Sequence, residues 1–207
     1  EHSKFEFEDL DCIVNADLIS KLKYKDILQY VLNAKTPGNI EVLKIPGNRN
    51  ELIFKLKTAE KPFALIKIGD ISAWLKDKLG GYEISETFDN ESYFSLINRD
   101  DSDINILMGS RSFYEGWDSN RPNIILFINI GVGSDAKKFV LQSVGRGVRI
   151  EPQKNKRKRL QNLFNATTPC QALPDTPLRE GNLEKLFEKV KNLILPIESL
   201  FVFGTNA

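Results

Sequence analysis

The sequence predicts an α/β fold, a mostly parallel sheet with helices on both faces, and three observations carry the prediction. Residues 63–68, 104–108 and 124–130 are short apolar runs of the continuous kind expected of strands buried on both faces. Each run gives way to a polar, glycine-containing turn, at Gly69-Asp70, at 109–118 and from Gly131 onward. Helical periodicity falls between runs, as at Ile71, Trp74, Leu75 and Lys78. Strands alternating with helices at this spacing make a parallel sheet, and such sheets bind ligands beyond the carboxyl ends of their strands.

Taken in order, the chain opens on an acidic lead-in (Glu1, Glu6, Glu8, Asp9, Asp11) interleaved with Phe5 and Phe7. Tyr24, Ile27, Leu28 and Val31 then recur at helical spacing, and the helix stops before Thr36-Pro37-Gly38. Apolar runs at 40–45 and 52–56, separated by Pro46-Gly47-Asn48-Arg49-Asn50, predict a hairpin. Residues 1–60 are expected to be an accessory or connector, and residues 61–207 the principal domain. Asp70 is the expected N-cap of the helix that follows the strand at 63–68, and Gly80-Gly81 its stop. A short strand is expected at 82–85. Beyond the strands at 104–108 and 124–130 come a basic stretch (Lys154, Lys156, Arg157, Lys158, Arg159), a proline-rich loop, and an amphipathic helix carrying Leu183, Leu186, Phe187, Val190, Leu193 and Ile194. A last strand is expected at 200–203.

Composition narrows the function. A length of 207 residues fits one large domain or one domain with an appendage, and 41% hydrophobic with 28% charged residues is globular rather than disordered. With 29 Lys plus Arg against 28 Asp plus Glu, the net charge of +1 excludes a polybasic surface, so any nucleic-acid contact is local. Cys12 and Cys170 form no metal-binding pair, and His2 is the single histidine. Chemistry would therefore fall to carboxylates, arginines or a bound metal. No apolar run reaches membrane-spanning length, no signal-peptide core is present, and a first residue other than Met suggests an excised piece.

Two segments at successive strand ends carry the chemical signal. The first is Gly109-Ser110-Arg111-Ser112-Phe113-Tyr114-Glu115-Gly116-Trp117-Asp118; the second is Gln142-Ser143-Val144-Gly145-Arg146-Gly147-Val148-Arg149. Arg146 and Arg149 are three apart, so on a helix both guanidinium groups leave one face, and the glycines open the backbone to close approach. Two permanently charged forks in such a setting suit a triphosphate. Gly131-Val132-Gly133 copies half of a dinucleotide fingerprint but lacks the third glycine and the acidic residue.

Together these segments resemble motifs V and VI of superfamily 2 helicases and translocases, in which the second of two RecA-like lobes carries an S/T-x5-G-x-D turn and a Q-x-x-G-R-x-x-R helix. Ser110 and Asp118 stand eight apart, as that pattern requires. The wording Phe-Tyr-Glu-Gly-Trp-Asp, followed by Gln-Ser-Val-Gly-Arg-Gly-Val-Arg-Ile, is most similar to the Res subunit of type III restriction enzymes, and Ser199-Leu-Phe-Val-Phe-Gly-Thr-Asn is similar to the strand that follows motif VI there. The resemblance covers residues 63–206.

It implies a RecA-like, P-loop-NTPase-like second lobe in which Arg149 is the arginine finger on the γ-phosphate, with Arg146 beside it. Gln142 and Gly145 would lie at the nucleotide, Gly116 and Asp118 would approach it from motif V, and Ser110 and Arg111 would meet a DNA phosphate. Each residue also has a plain reading: the arginines as surface ion pairs, Asp118 as a cap, Ser110 as a turn residue, Phe113 and Trp117 as packing. The basic stretch at 154–159 reads as a solvated loop or as a contact to DNA or a partner subunit. The resemblance further implies ATP and Mg2+ as cofactors, both held mainly by an N-terminal RecA-like lobe of the same chain. It implies double-stranded DNA and a modification (methyltransferase) subunit as partners, and a cytoplasmic, membrane-free location.

The sequence departs from the full enzyme pattern. No G-x-x-x-x-G-K-[ST] P-loop and no Walker B tetrad occur. Pro174-Asp175 begins like a P-D...(D/E)-x-K nuclease site, but Glu180, Glu184, Glu188 and Glu198 are followed two places on by Asn182, Leu186, Val190 and Leu200. A nuclease domain would lie beyond Ala207, and the 207 residues alone are expected to be inactive. Two alternatives stand: a superfamily 2 helicase of repair or phage origin without a nuclease, and a non-catalytic RecA-like DNA-binding module.

Overall fold

A computed structural model describes residues 20–88, 90–110, 119, 121–131, 133–147 and 200–205. The chain divides into two compact units, Val14–Trp117 and Glu1–Ile13 with Asp118–Ala207. The lead-in, the basic stretch, the proline-rich loop and the helix expected at 182–194 lie outside the described residues.

In the first unit, helix α1 (Tyr24–Tyr30) precedes strands β1 (Ile40–Lys44), β2 (Glu51–Leu56) and β3 (Ala64–Lys67). Helix α2 (Ser72–Lys78), β4 (Glu83–Glu86) and β5 (Ile106–Gly109) follow. The five strands form one sheet in the order β4-β1-β2-β3-β5. β1 and β4 are parallel, as are β3 and β5, while β2 is antiparallel to both β1 and β3. Four strands thus point one way and β2 alone is reversed, giving an α/β unit on a mostly parallel sheet.

The expected hairpin forms, but not as an accessory. Its second strand is the middle of the sheet, and residues 57–63, which contain the expected boundary, merely join the hydrogen-bonded neighbours β2 and β3. The reason lies in β2 itself: Glu-Leu-Ile-Phe-Lys-Leu is buried at every position but Lys55. Such a run requires cover on both faces, which an appended hairpin lacks.

One face of the sheet presents Val42, Leu52, Phe54, Leu56, Ala64 and Ile66 to Leu28 of α1 and to Ile71, Leu75 and Leu79 of the α2 region. The other presents Leu43, Ile53, Leu65 and Leu107 to Tyr93, Phe94, Ile97 and Ile104. Both described helices of this unit therefore cover one face. The other, where a helix was also expected, is closed by consecutive turns, as in Leu96 N–H to Tyr93 O and Arg99 N–H to Leu96 O. Asn98, Asp100, Asp101 and Ser102 favour turns over helix, which explains the difference.

α2 ends at Lys78 before Gly80-Gly81, as expected, but its N-cap is Ile71 rather than Asp70: the carboxylate sits one residue earlier and its Oδ1 accepts the Ser72 N–H at 2.8 Å from there. In α1, by contrast, only Leu28 is buried, while Tyr24 and Ile27 are 61% and 45% exposed, so the expected apolar stripe is not the packed one. α1 is fastened through its end instead. Asn33 has a left-handed φ of 52° and donates to Pro62 O at 2.6 Å and Asp103 O at 2.7 Å. Asn105 Nδ2 reaches Val31 O and Asn33 Oδ1, both at 3.0 Å, so a carbonyl orphaned at the helix end has a partner. Asn33→Ala loses the bonds to Pro62 O, Asp103 O and Asn105 and places an ordinary residue at positive φ. A loss of roughly 1–3 kcal/mol in urea-unfolding free energy is expected.

In the second unit, β6 (Ile124–Phe127) is followed by α3 (Ser134–Gly147), and β7 (Phe201–Gly204) pairs with β6 in parallel. The Phe127 and Phe139 rings meet edge to face, with centroids 5.8 Å apart, and join helix to sheet.

Candidate functional site

The sequence-predicted site residues fall in both units. Arg111, Gly116, Asp118 and Arg149 lie outside the described residues, and of Arg146 only the backbone position is described. Gln142, Gly145 and Arg146 share α3, within about one turn of each other. Ser110 belongs to the other unit, one residue beyond the end of β5.

α3 is aimed by the chain that leads into it. Asn129, Gly131 and Gly133 have φ values of 50°, 76° and 136°, conformations that glycine and asparagine tolerate best, and they turn the end of β6 into the helix. Lys137 N–H then closes on Gly133 O at 3.1 Å. The inward face carries Ala136, Phe139 and Ser143, whose hydroxyl is satisfied by Phe139 O at 2.8 Å. Gln142 and Gly145 are exposed on the other side. Among the described residues a Cβ at Gly145 would meet nothing within 4 Å. A glycine inside a helix costs about 1 kcal/mol relative to alanine.

At the carboxyl edge of the five-stranded sheet, Gly109 is opposite Lys67, and Lys67 is opposite Glu51. Glu51 is fully buried, yet three donors meet its carboxylate. Lys67 Nζ reaches its Oε1 at 2.9 Å, Ser92 Oγ the same oxygen at 2.7 Å, and Phe94 N–H its Oε2 at 3.2 Å. Lys67 Nζ also stands 4.7 Å from the centre of the Phe94 ring. Burial pushes the Glu51 carboxyl up, but the Ser92, Lys67 and Phe94 donors outweigh it and hold the group below its usual 4.5. This hub fixes the end of β3, and through it the end of β5 from which Ser110 departs.

Sequence reasoning missed the hub. Its signals were Lys67 interrupting an apolar strand and Glu51 heading another; what was lacking was the knowledge that β2 and β3 are neighbours.

The hairpin turn reaches the same edge. Gly47 takes a φ of 75°, Asn50 N–H donates to Asn48 Oδ1 at 2.9 Å, and Ile68 N–H to Asn50 O and Ile71 N–H to Arg49 O, both at 3.0 Å. The turn is thereby stitched to the loop after β3.

Among the described residues no group of three or more His, Cys, Asp and Glu is placed to hold a metal ion, and no helix is long and apolar enough to cross a membrane. Comparison of the chain with protein-family models, curated proteins and solved structures finds no match.

Proposed function

We propose that the chain is the C-terminal, RecA-like motor lobe of an ATP-dependent DNA translocase, most similar to the Res subunit of a cytoplasmic type III restriction enzyme. The observation that supports this most is the exposed face of α3. There Gln142 and an unpacked helical glycine, Gly145, precede Arg146 and Arg149, downstream of a glycine turn at a strand's carboxyl end.

In this reading the chain contributes charge and position rather than bond-making groups. Bound ATP with Mg2+ supplies the transferable γ-phosphoryl group and the neutralisation of its neighbours. Arg149 donates its fork to the γ-phosphate oxygens, where charge spreads as the bond to the leaving group loosens, and Arg146 reinforces it. Gln142 orients on the nucleotide side of the cleft, and Gly145 lets the backbone draw close. By the family resemblance Asp118 would accept a ribose hydroxyl or brace the motif V turn and Gly116 would let that turn pass close to the nucleotide, while Ser110 and Arg111 would hold a phosphate of double-stranded DNA. Opening and closing of the cleft against the N-terminal lobe steps the protein along the duplex, and a modification subunit supplies target recognition.

With no P-loop and no magnesium ligands of the Walker type in its sequence, the 207-residue chain by itself is expected to show no DNA-stimulated ATP hydrolysis in a phosphate-release assay. Robust turnover by this chain alone contradicts the two-lobe reading.

A further inference from the structure

Three features converge on the carboxyl edge of the five-stranded sheet, and one was not part of any recognised motif. The hairpin turn at 46–50 is fixed there through its own backbone, by the bonds from Ile68 N–H to Asn50 O and from Ile71 N–H to Arg49 O. Arg49 is therefore held at its backbone while its side chain is exposed.

The ionic partners at this edge are unequal. Lys67 is committed to Glu51 at 2.9 Å and Lys44 to Glu86 at 3.3 Å. Arg49 enters none of the ion pairs formed among the described residues. The acid that feels its charge, Asp70, is held chiefly by the Ser72 N–H at 2.8 Å.

Register sets the spacing. Glu51, Lys67 and Gly109 are aligned across β2, β3 and β5, so Arg49, just before β2, and Ser110, just after β5, flank the same edge two strand spacings apart. That is roughly 10 Å. Successive phosphates of one strand of duplex DNA advance about 3.4 Å along the helix axis, so the two residues fall within the reach of about three nucleotides.

We propose that Arg49 is a DNA-backbone contact, extending the phosphate track that begins at Ser110 across the sheet edge to the hairpin turn. This rests on the reading of the chain as a DNA-translocating lobe and adds to it a residue from the hairpin, a segment to which the motor motifs do not extend. The ligand is the phosphodiester of double-stranded DNA, bound without regard to base sequence. The guanidinium fork matches two phosphate oxygens, and the anchored turn lowers the entropy lost in placing it.

The test is the binding of a fluorescein-labelled 20-base-pair duplex to the 207-residue chain, followed by anisotropy from about 50 to 200 mM salt. Arg49→Ala is expected to weaken binding roughly tenfold at 0.1 M salt and to reduce the slope of log K against log salt by about 0.9, equally for unrelated sequences. Arg49→Lys keeps the slope. The exposed side chain makes the melting temperature a check that each variant is folded. Binding by the wild type with an unchanged slope and affinity in Arg49→Ala overturns this assignment alone. A wild-type chain that does not bind duplex at all overturns the DNA reading of the lobe, and this assignment with it.

Discussion

If the chain is the motor lobe proposed above, Arg149→Ala, made together with the first lobe, is expected to lower ATP turnover by about 10³ to 10⁵ while leaving ATP binding nearly unchanged. The factor corresponds to about 4–7 kcal/mol of stabilisation present in the transition state and not in the ground state. In the proposed role it is large because a fork aimed at the γ-phosphate would meet its full charge only as the bond breaks, in a closed cleft where water screens poorly. Arg149→Lys recovers little, since an ammonium cannot span two oxygens. Steady-state hydrolysis together with equilibrium binding of a fluorescent ATP analogue separates the two effects. Hydrolysis at wild-type rate in Arg149→Ala removes the finger assignment, and a parallel loss of nucleotide binding makes Arg149 a general anchor instead.

The second large effect concerns stability. Lys67→Met removes the cation from a carboxylate with a side chain 1% exposed and leaves Glu51 with Ser92 Oγ and Phe94 N–H alone. Stranding a buried charge typically costs 3–5 kcal/mol. Because the lysine side chain is itself 28% exposed, part of the ion pair is screened and about 2–4 kcal/mol is expected. Adding Glu51→Leu to Lys67→Met restores much of the loss, since the uncompensated charge is then gone. Urea unfolding of the two single variants and the double variant measures the coupling.

The same network sets a pH dependence. The folded Glu51 carboxyl is held below its usual 4.5, so the unfolded chain takes up the proton first as pH falls. Its contribution is complete above about pH 4.5 and drains away as pH drops through the lower folded value. In Lys67→Met this acid-side slope flattens.

Local pattern made most elements legible. β3, β5 and β6 are visible as apolar runs, α2 from its periodicity and its glycines, and the hairpin from Pro46-Gly47-Asn48 between apolar stretches. What local pattern does not encode is which strands become neighbours. Taken locally, β2 looks like half of an appended hairpin, although its apolar run already requires burial on both faces. Glu51 and Ser92 are 41 residues apart and Glu51 and Lys67 are 16 apart, so no spacing rule links them. The stripe on α1 failed for a related reason: periodicity identifies an apolar face, while the polar clamp at Asn33 and Asn105 decides which face packs. Of the candidate site, Gln142, Gly145 and Arg146 share one helix, as the family resemblance implies, and Ser110 lies one residue beyond its strand. The unpacked state of Gly145 and the anchoring of Arg49 emerge only from three-dimensional neighbours.

If this chain is the second of two lobes, a first lobe is encoded in the same polypeptide, and the coding sequence upstream of Glu1 decides the matter. A strand leading into G-x-x-x-x-G-K-[ST] and, further on, an acidic magnesium-binding tetrad are expected there, both in frame with residues 1–207. An open reading frame that carries neither rules the two-lobe reading out.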